Sequence, residues 1–428
     1  MIIEKTELND GTKVLLAPVS GSRTGTIVVT FRAGARYESW ETDGISHFLE
    51  HMFFKGTESL DAEGVSREFT RIGAMLNAFT SRSFTTYFAK VPSRHLDRAI
   101  ELWAELLKRG VLRRDEFERE RNVVIQEYGT VMDNPESRIA NIELPRTHFK
   151  GTSMEHSIIG TVEALKSMTV EQMLAYRNEH YSFGNAFLCV AGDLDEGHVM
   201  EMLNGQFSKA PVGGEVIKFP RIDYRKPTRG SLKAITIPSK KDLAYLGFLV
   251  TLPGSHHPLF PATNLLLSLL YPSRTSLLYK ELIQTGLTNG IVSLTEQFSD
   301  ISTLGFEAST RPEKMKELLD RTLIALHRFS SRSMTEEQLI LARRQVLGNL
   351  VIGCEDPMWL ALRNVDLSIL HESPFSTDDW ISSLKGVTLE DLELAKEIAL
   401  DEIEATIVAF GNMKEDWTYD FPEGTWNR

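Results

Sequence analysis

The stretch Ser167-Met-Thr-Val-Glu-Gln-Met173 returns 219 residues later in the chain as Gly386-Val-Thr-Leu-Glu-Asp-Leu392. Two other pairs of segments keep the same order at offsets of 219 and 220 residues: Val190-Ala-Gly-Asp193 with Ala409-Phe-Gly-Asn412, and Arg114-Asp-Glu-Phe-Glu118 with Met334-Thr-Glu-Glu-Gln338. Three pairs of similar segments, in the same order and at nearly the same spacing, indicate an internal repeat. We therefore predict two homologous domains of about 210 residues each, which is an ordinary domain size.

The two repeats are separated by a segment in which Pro and Gly interrupt the apolar periodicity. This segment runs from Pro211-Val-Gly-Gly214 to Arg225-Lys-Pro227, and such punctuation is typical of a connection between domains. The sequence predicts a first domain over residues 1–212, a linker over 213–228 and a second domain over 229–428.

The hydrophobic patterns of the first domain predict both strands and helices. Alternating or β-branched runs indicate strands at 12–18, 25–33, 84–91 and 185–192. Apolar positions at helical spacing, together with N-capping signals at Asp115 and Thr169, indicate helices at 44–54, 61–73, 93–109, 115–132 and 169–178. Strands and helices do not alternate strictly, which favours an α+β fold in which each domain is a largely antiparallel sheet with helices packed on it.

The bulk composition disfavours several classes of protein. The net charge of −12 argues against the basic surface that nucleic-acid binding requires. It also disfavours binding to an anionic membrane. No apolar run is long enough to span a bilayer. The two cysteines, Cys189 and Cys354, are interpreted as free buried thiols in a reducing compartment. The N-terminal residues show neither a signal-peptide nor a transit-peptide pattern, so we predict a cytoplasmic protein.

The segment Ser46-His-Phe-Leu-Glu-His-Met-Phe53 carries a candidate metal motif, His47-x-x-Glu50-His51. On a helix these three positions share one face, and the apolar residues between them would anchor the other face in a core. Two neutral imidazoles at this spacing can share a zinc ion. The glutamate beside them can then take a proton from metal-bound water and deliver it to a leaving amine. The order H-x-x-E-H occurs in one class of zinc peptidases.

A third protein ligand must come from elsewhere, because a catalytic zinc usually has three protein ligands and one open position. The best candidate is the predicted helix containing Glu118-Arg-Glu-Arg-Asn-Val-Val-Ile-Gln-Glu127. Glu120 and Glu127 lie two turns apart on one face of it, and Val123 and Val124 indicate that the helix borders a core. A carboxylate at such a border needs a partner. The alternative is that the His-Glu-His face is simply exposed to solvent without a metal.

The second repeat does not contain a second copy of this motif. The positions equivalent to His47, Glu50, His51 and Glu127 are all apolar in it, namely Leu266, Leu269, Leu270 and Val346. We therefore predict one zinc ion per chain, in the first domain.

These residues resemble the pitrilysin/insulinase family of zinc peptidases, and in particular its short branch similar to the mitochondrial processing peptidase. The resemblance rests on three segments: Gly44-Ile-Ser-His-Phe-Leu-Glu-His-Met-Phe-Phe-Lys-Gly-Thr57, Asn77-Ala-Phe-Thr-Ser81, and Glu120-Arg-Asn-Val-Val-Ile-Gln-Glu127. Similar matches continue through most of the first repeat.

The resemblance implies a role for each residue of the motif. His47, His51 and Glu127 would bind zinc, and Glu50 would act as the catalytic base. Glu120 would be a carboxylate just outside the metal ligands that orients the site.

The resemblance also implies how substrate is bound and how the protein assembles. The strand that contains Asn77, Ala78 and Phe79 would hold an extended peptide by pairing at its edge. In this family, chains with two domains complete an enclosed chamber by dimerising with themselves or with a sister subunit. The implied function is a zinc metalloendopeptidase that cleaves short or unfolded peptides as a dimer.

The second repeat departs from the family pattern at two positions. Leu282 and Asn289 stand where the family often has an Arg and a Tyr that bind substrate and stabilise the oxyanion, and Arg274 and Tyr279 are out of register. Three explanations stay open: a sister subunit supplies the pair, other donors replace it, or turnover is slow. The alternative function is a zinc-binding subunit that captures peptides or is not catalytic. Ser83 also replaces a Glu common in relatives, which leaves the peptide preference open.

Overall fold

The computed structural model of the chain describes residues 3–9, 11–207, 217–218, 221–222, 231–271, 273–401, 403–412, 419, 422 and 425. Most of the predicted linker, residues 213–228, therefore lies outside the described residues. The chain forms two compact units. The first comprises Met1–Thr130, His156–Pro220 and Leu350–Trp380, and the second comprises Val131–Glu155, Arg221–Asn349 and Ile381–Arg428. Each unit thus includes a segment from the other half of the sequence, and the contiguous boundaries given above stay a prediction.

The first unit contains a six-stranded sheet. Its strands lie in the order β1-β2-β6-β3-β5-β4. Only β2 and β6 run parallel, and the other neighbouring strands are antiparallel. The bounds of the strands are β1 Glu4–Glu7, β2 Lys13–Pro18, β3 Thr24–Phe31, β4 Met75–Thr80, β5 Thr85–Pro92 and β6 Ala186–Gly192.

The second unit repeats this arrangement with five strands in the order β7-β11-β8-β10-β9. Here β7 and β11 are the parallel pair, and the remaining pairs are antiparallel. The same order and sense in both sheets confirm the predicted α+β fold of two homologous, largely antiparallel units. The bounds are β7 Ser231–Pro238, β8 Ala244–Pro253, β9 Ile291–Ser293, β10 Ile301–Thr310 and β11 Glu404–Gly411.

Fifteen α-helical segments among the described residues accompany the two sheets. None of them is long and apolar enough to cross a membrane. Thr169 caps its helix in a reciprocal capping box with Gln172, as predicted. Asp115 is not the N-cap, because the helix begins one residue earlier. The bounds are α1 Ile45–Phe53, α2 Ala62–Arg71, α3 Leu96–Arg109, α4 Arg114–Asp133, α5 Pro135–Arg138, α6 Leu144–His148, α7 Val162–Ser167, α8 Val170–His180, α9 Glu196–Phe207, α10 Phe260–Leu270, α11 Met315–Ser330, α12 Glu336–Gly353, α13 Pro357–Leu370, α14 Thr377–Gly386 and α15 Leu389–Leu400.

Each sheet is covered by a segment from the other half of the sequence. In the first unit, α13 packs on the sheet, and its apolar residues share a core with residues of β2, β3, β5 and β6. In the second unit, Ile139, Leu144 and Phe149 share a core with residues of β8, β10 and β11. Burial of apolar sheet faces is the main favourable term in folding, so each core needs both halves of the sequence.

His148 adds a polar contact to the second core. Its Nδ1 lies 2.8 Å from Thr406 Oγ1 and its Nε2 lies 2.6 Å from Thr251 Oγ1. Burial and the nearby charge of Lys233 lower the pKa of His148 to about 4. The ring is therefore neutral at physiological pH, and it joins α6 to two neighbouring strands of the second sheet.

The buried carboxyl group of Glu307, on β10, is expected to make the free energy of unfolding depend on pH. Its side chain is buried, and burial together with the nearby Glu136 raises the pKa of Glu307 from 4.5 to about 8. Between these pH values the unfolded chain releases the proton while the folded chain keeps it, so stability falls as pH rises through this window. We expect Glu307→Gln to raise the free energy of unfolding by about 4 kcal/mol at pH 8 and to change it little at pH 4.

Urea unfolding of the whole chain at both pH values measures this difference. The matched control is Glu313→Gln, which changes an exposed glutamate and should have little effect at either pH. An equal gain from Glu307→Gln at pH 4 and pH 8 would contradict the proposed cause.

Candidate metal centre

Helix α1 has one apolar face and one polar face. Phe48 stacks on Phe117 at a ring distance of 4.7 Å, and Leu49, Met52 and Phe53 are buried. The opposite face carries His47, Glu50 and His51, as the i, i+3, i+4 spacing predicts. Packing of the apolar face therefore orients the polar face.

The N-terminus of α1 is held by Glu38, a residue that sequence reasoning missed. Its carboxylate accepts hydrogen bonds from the backbone N–H groups of Gly44, at 2.6 Å, and Ser46, at 2.9 Å. Gly44, the N-cap, has a φ of 90° and no side chain to cap with. Complete burial raises the pKa of Glu38 to about 7. Glu38 acts as a remote cap for the helix, and a cap six residues upstream leaves no local signature in the sequence.

Three predicted side chains converge beside α1. Glu127 on α4 places its Oε2 3.5 Å from His51 Nε2 and 3.9 Å from His47 Nε2. Ligand atoms of the three residues lie within 4.8 Å of one another, so the group could hold a metal ion. Two imidazoles and one carboxylate are a ligand set of catalytic zinc sites, and the residues present fit zinc.

Glu120, the second predicted glutamate of α4, lies on the other side of the His51 ring. Its Oε2 is 3.3 Å from His51 Nδ1, and its Oε1 is 2.6 Å from the ammonium group of Lys55. Glu120 is buried, so these two contacts satisfy a carboxylate that would otherwise be costly to bury. Lys55 was not predicted, since a lysine beyond the end of a helix ordinarily points to solvent.

The protonation of the two histidines differs. Burial and the nearby His51 lower the pKa of His47 to about 4, so that ring is neutral and able to bind a metal. Burial also acts to lower the pKa of His51, but its contacts with Glu127 and Glu120 outweigh burial and raise it. The same contact with His51 lowers the pKa of Glu127. His51 thus lies between two carboxylates, those of Glu120 and Glu127.

Glu50 lies next to this cluster without belonging to it. Its Oε2 accepts a hydrogen bond of 2.6 Å from the hydroxyl of Thr80, the last residue of β4. Burial raises the pKa of Glu50, against the opposing effect of the Thr80 hydrogen bond. A carboxylate with a raised pKa and a fixed orientation is suited to accept and hold a proton. Thr80 is a further residue that sequence reasoning missed.

The predicted peptide-binding residues lie on β4, the edge strand of the first sheet. Asn77, Ala78 and Phe79 pair with β5 on one side. On the other side, β4 has no neighbouring strand among the described residues. Asn77 and Phe79 are exposed and Ala78 is partly buried. This edge can accept hydrogen bonds from a further strand and donate to it.

The structure also places the two positions where the second repeat departs from the family pattern. Leu282 is completely buried in the core of the second unit. Asn289 is exposed in the loop before β9. A completely buried leucine cannot contact a substrate, so the first position has a structural role in this chain.

Comparison with known proteins agrees with the fold. Residues 13–162 match the family described as "Insulinase (Peptidase family M16)", and residues 167–346 match the "Peptidase M16 inactive domain". A protein of Rickettsia felis named "Uncharacterized zinc protease" is 30% identical over 350 residues, covering 82% of this chain and 83% of the relative. The mitochondrial-processing peptidase subunit beta of Caenorhabditis elegans is 34% identical over 219 residues, covering 51% of this chain and 47% of the relative.

A solved structure shows the same fold over nearly the whole length. The crystal structure of a protease from Helicobacter pylori superposes with a TM-score of 0.87 at 23% identity, covering 96% of this chain and 99% of that chain. The described residues combine a repeated α+β unit with one His/His/Glu cluster, and the matched relative of Rickettsia felis is named a zinc protease. The chain belongs to the insulinase family, peptidase family M16. Its matched inactive domain is the half in which the four site residues are replaced by apolar ones.

Proposed function

We propose that the chain is a zinc metalloendopeptidase that cleaves short or unfolded peptides. The observation that carries this proposal is the convergence of His47, His51 and Glu127 beside an oriented Glu50. The three residues would hold one zinc ion per chain. A zinc ion so held supplies Lewis acidity, which polarises a carbonyl group and makes water easier to deprotonate.

Glu50 is the general base and then the general acid in this proposal. It takes a proton from the attacking water, holds it because burial favours its protonated form, and delivers it to the leaving amine. The Thr80 hydroxyl keeps one carboxylate oxygen in place. The other oxygen is left to exchange the proton.

Glu120 and Lys55 orient His51, the histidine that also contacts Glu127. Glu120 accepts the Nδ1 proton of His51, which leaves Nε2 as the metal-binding nitrogen. Lys55 forms an ion pair with the second oxygen of Glu120 and so holds that carboxylate in place. Such outer contacts set the tautomer and the direction of a metal-binding imidazole.

The proposed substrate class follows from the edge of β4. A peptide that pairs with this edge must present an extended backbone, which folded proteins rarely offer. Asn77 and Phe79 would contact the side chains of the bound peptide, whereas Ala78 leaves room for the backbone. We place this activity in the cytoplasm, because the two cysteines are unpaired, as expected in a reducing compartment.

The metal-binding roles are tested by two variants of α4. We expect Glu127→Gln to abolish stoichiometric zinc binding, since it removes a ligand. Glu120→Gln should weaken zinc binding by about 10- to 100-fold, because it acts through His51. Zinc titration with a competing chelator measures both, and Glu118→Gln, an exposed glutamate of the same helix, should bind like the unmodified chain. A larger loss for Glu120→Gln than for Glu127→Gln would reverse the two roles.

The catalytic role is tested by Glu50→Gln. The variant should keep about one zinc ion per chain, because Glu50 is not a ligand, while cleavage of a quenched fluorescent peptide falls by about 100-fold or more. Glu58→Gln, which changes an exposed glutamate just beyond α1, is the control and should cleave normally. Turnover of Glu50→Gln near the unmodified rate would disprove the mechanism. Full zinc content without turnover in the unmodified chain would favour a peptide-capturing subunit instead.

The assembly state is a further part of the proposal. Leu282 and Asn289 supply no Arg/Tyr pair, and a relative is named as one subunit of the mitochondrial processing peptidase. We expect the active species to contain at least two chains, with low activity for this chain alone and stimulation by a homologous subunit that carries the pair. Sedimentation combined with activity assays measures this. A monomer with full turnover would refute it, whereas a fully active homodimer would refute only the need for a sister subunit.

A further inference from the structure

A cavity of about 170 Å³ lies in the first unit, behind the helix that carries the metal motif. Its walls are formed by α1, by the C-terminal end of α3 with the following loop, and by the end of α8. The apolar part of the lining includes Leu49, Met52, Phe53 and Leu106. These four residues are buried, so the cavity borders the core of the unit.

The cavity is separate from the metal centre. Leu49, Met52 and Phe53 lie on the face of α1 opposite to that of His47, Glu50 and His51, because successive residues on a helix are about 100° apart. Neither His47 nor His51 nor Glu50 lines the cavity. A molecule in the cavity would contact the back of the helix and none of the proposed metal ligands.

The cavity is lined by a cation that has no acidic partner among the described residues. Arg177 on α8 lines it, and its printed side-chain hydrogen bond goes to the carbonyl oxygen of Gly110, at 2.7 Å. No carboxylate among the described residues pairs with it. Other partly buried arginines differ in this respect: Arg138 pairs with Glu143 at 2.7 Å, whereas Arg113, like Arg177, donates to backbone carbonyl oxygens. Burial lowers the pKa of Arg177, which reflects the cost of removing its charge from water.

The other polar groups of the cavity do not neutralise Arg177. Tyr181 is hydrogen-bonded to the hydroxyl of Tyr87, at 2.9 Å. Lys108 is also a cation, and its ammonium group donates to the carbonyl oxygen of Gln206. Asn178 is exposed and forms the solvent side of the lining. The lining of the cavity therefore combines apolar side chains with the cations Arg177 and Lys108.

We propose that this cavity binds a small carboxylic acid with a compact apolar body, its carboxylate on the Arg177 guanidinium and its body against Leu49 and Met52. An apolar cavity of ~150 Å³ is large enough for benzene, so an acid of about the size of benzoate fits. A guanidinium pairs with a carboxylate through two parallel hydrogen bonds. Because the occupant packs against α1, binding stabilises the helix that carries the metal motif.

The test uses the full-length chain as purified, with benzoate as the probe and benzamide as its neutral analogue. Saturable binding is followed by calorimetry and by the rise in unfolding temperature. We expect benzoate to bind at least tenfold more tightly than benzamide. This comparison is made on the unmodified chain and does not depend on how any variant folds. Arg177→Met should lose this preference, and Arg177→Lys should keep part of it. Arg114→Met, which changes an exposed arginine paired with Glu171, is the control and should bind like the unmodified chain.

A carboxylate can also bind a zinc ion, so the titration is repeated on Glu127→Gln. Benzoate binding that persists in this variant supports the cavity, even if the proposed peptidase activity fails. Binding that is lost in Glu127→Gln but kept in Arg177→Met overturns the inference, as does equal affinity for benzoate and benzamide or the absence of saturable binding. N-acetylleucine serves as a mimic of a peptide C-terminus. If N-acetylleucine binds more tightly than benzoate, peptide C-termini are supported as the source of the acid. If it binds more weakly, free acids are supported.

Discussion

The apolar face of helix α1 has to be buried while its polar face carries the candidate site residues, and the site depends on this constraint. Phe48, Leu49, Met52 and Phe53 can be buried in only one rotation of the helix about its axis. In that rotation the two imidazoles and Glu50 project on the opposite side. Glu38 then fixes the start of the helix from outside it. Hydrophobic packing and a remote cap together give a short helix the rigidity that a convergent site requires.

The polar residues around α1 are arranged in pairs that offset the cost of burying charge. Glu120 is buried between His51 and Lys55, and Glu127 is held by His51. Glu50 accepts a hydrogen bond from the Thr80 hydroxyl, and burial raises its pKa against the effect of that bond. The pKa values of Glu50 and Glu127 therefore shift in opposite directions, because burial dominates at Glu50 and the contact with His51 dominates at Glu127. The contrast separates a residue suited to bind a cation from one suited to carry a proton.

The exchange of segments between the halves of the sequence has consequences for folding. The core under the first sheet includes Leu360, Val365 and Ile369 from α13, whereas that of the second includes Ile139 and Leu144. Each core includes residues from a segment that lies far away in the sequence. Long loops must therefore close before the apolar residues of either core are buried. The duplicated strand order suits this arrangement, because each copy presents an equivalent sheet face to be covered.

The features that the sequence determined by itself are local or periodic. The repeat, the α+β class, the capping box at Thr169 and the two faces of α1 all follow from spacings within one element or between two copies. The resemblance to a family pointed to Glu120 and Glu127, and the structure brings both to His51. Only the tertiary structure decided which ring nitrogen each glutamate faces, that Glu38 caps α1, that Lys55 and Thr80 hold the site carboxylates, and that α13 covers the first sheet. These contacts join residues with no fixed spacing in sequence, and they are set by how the elements pack, which no local pattern encodes.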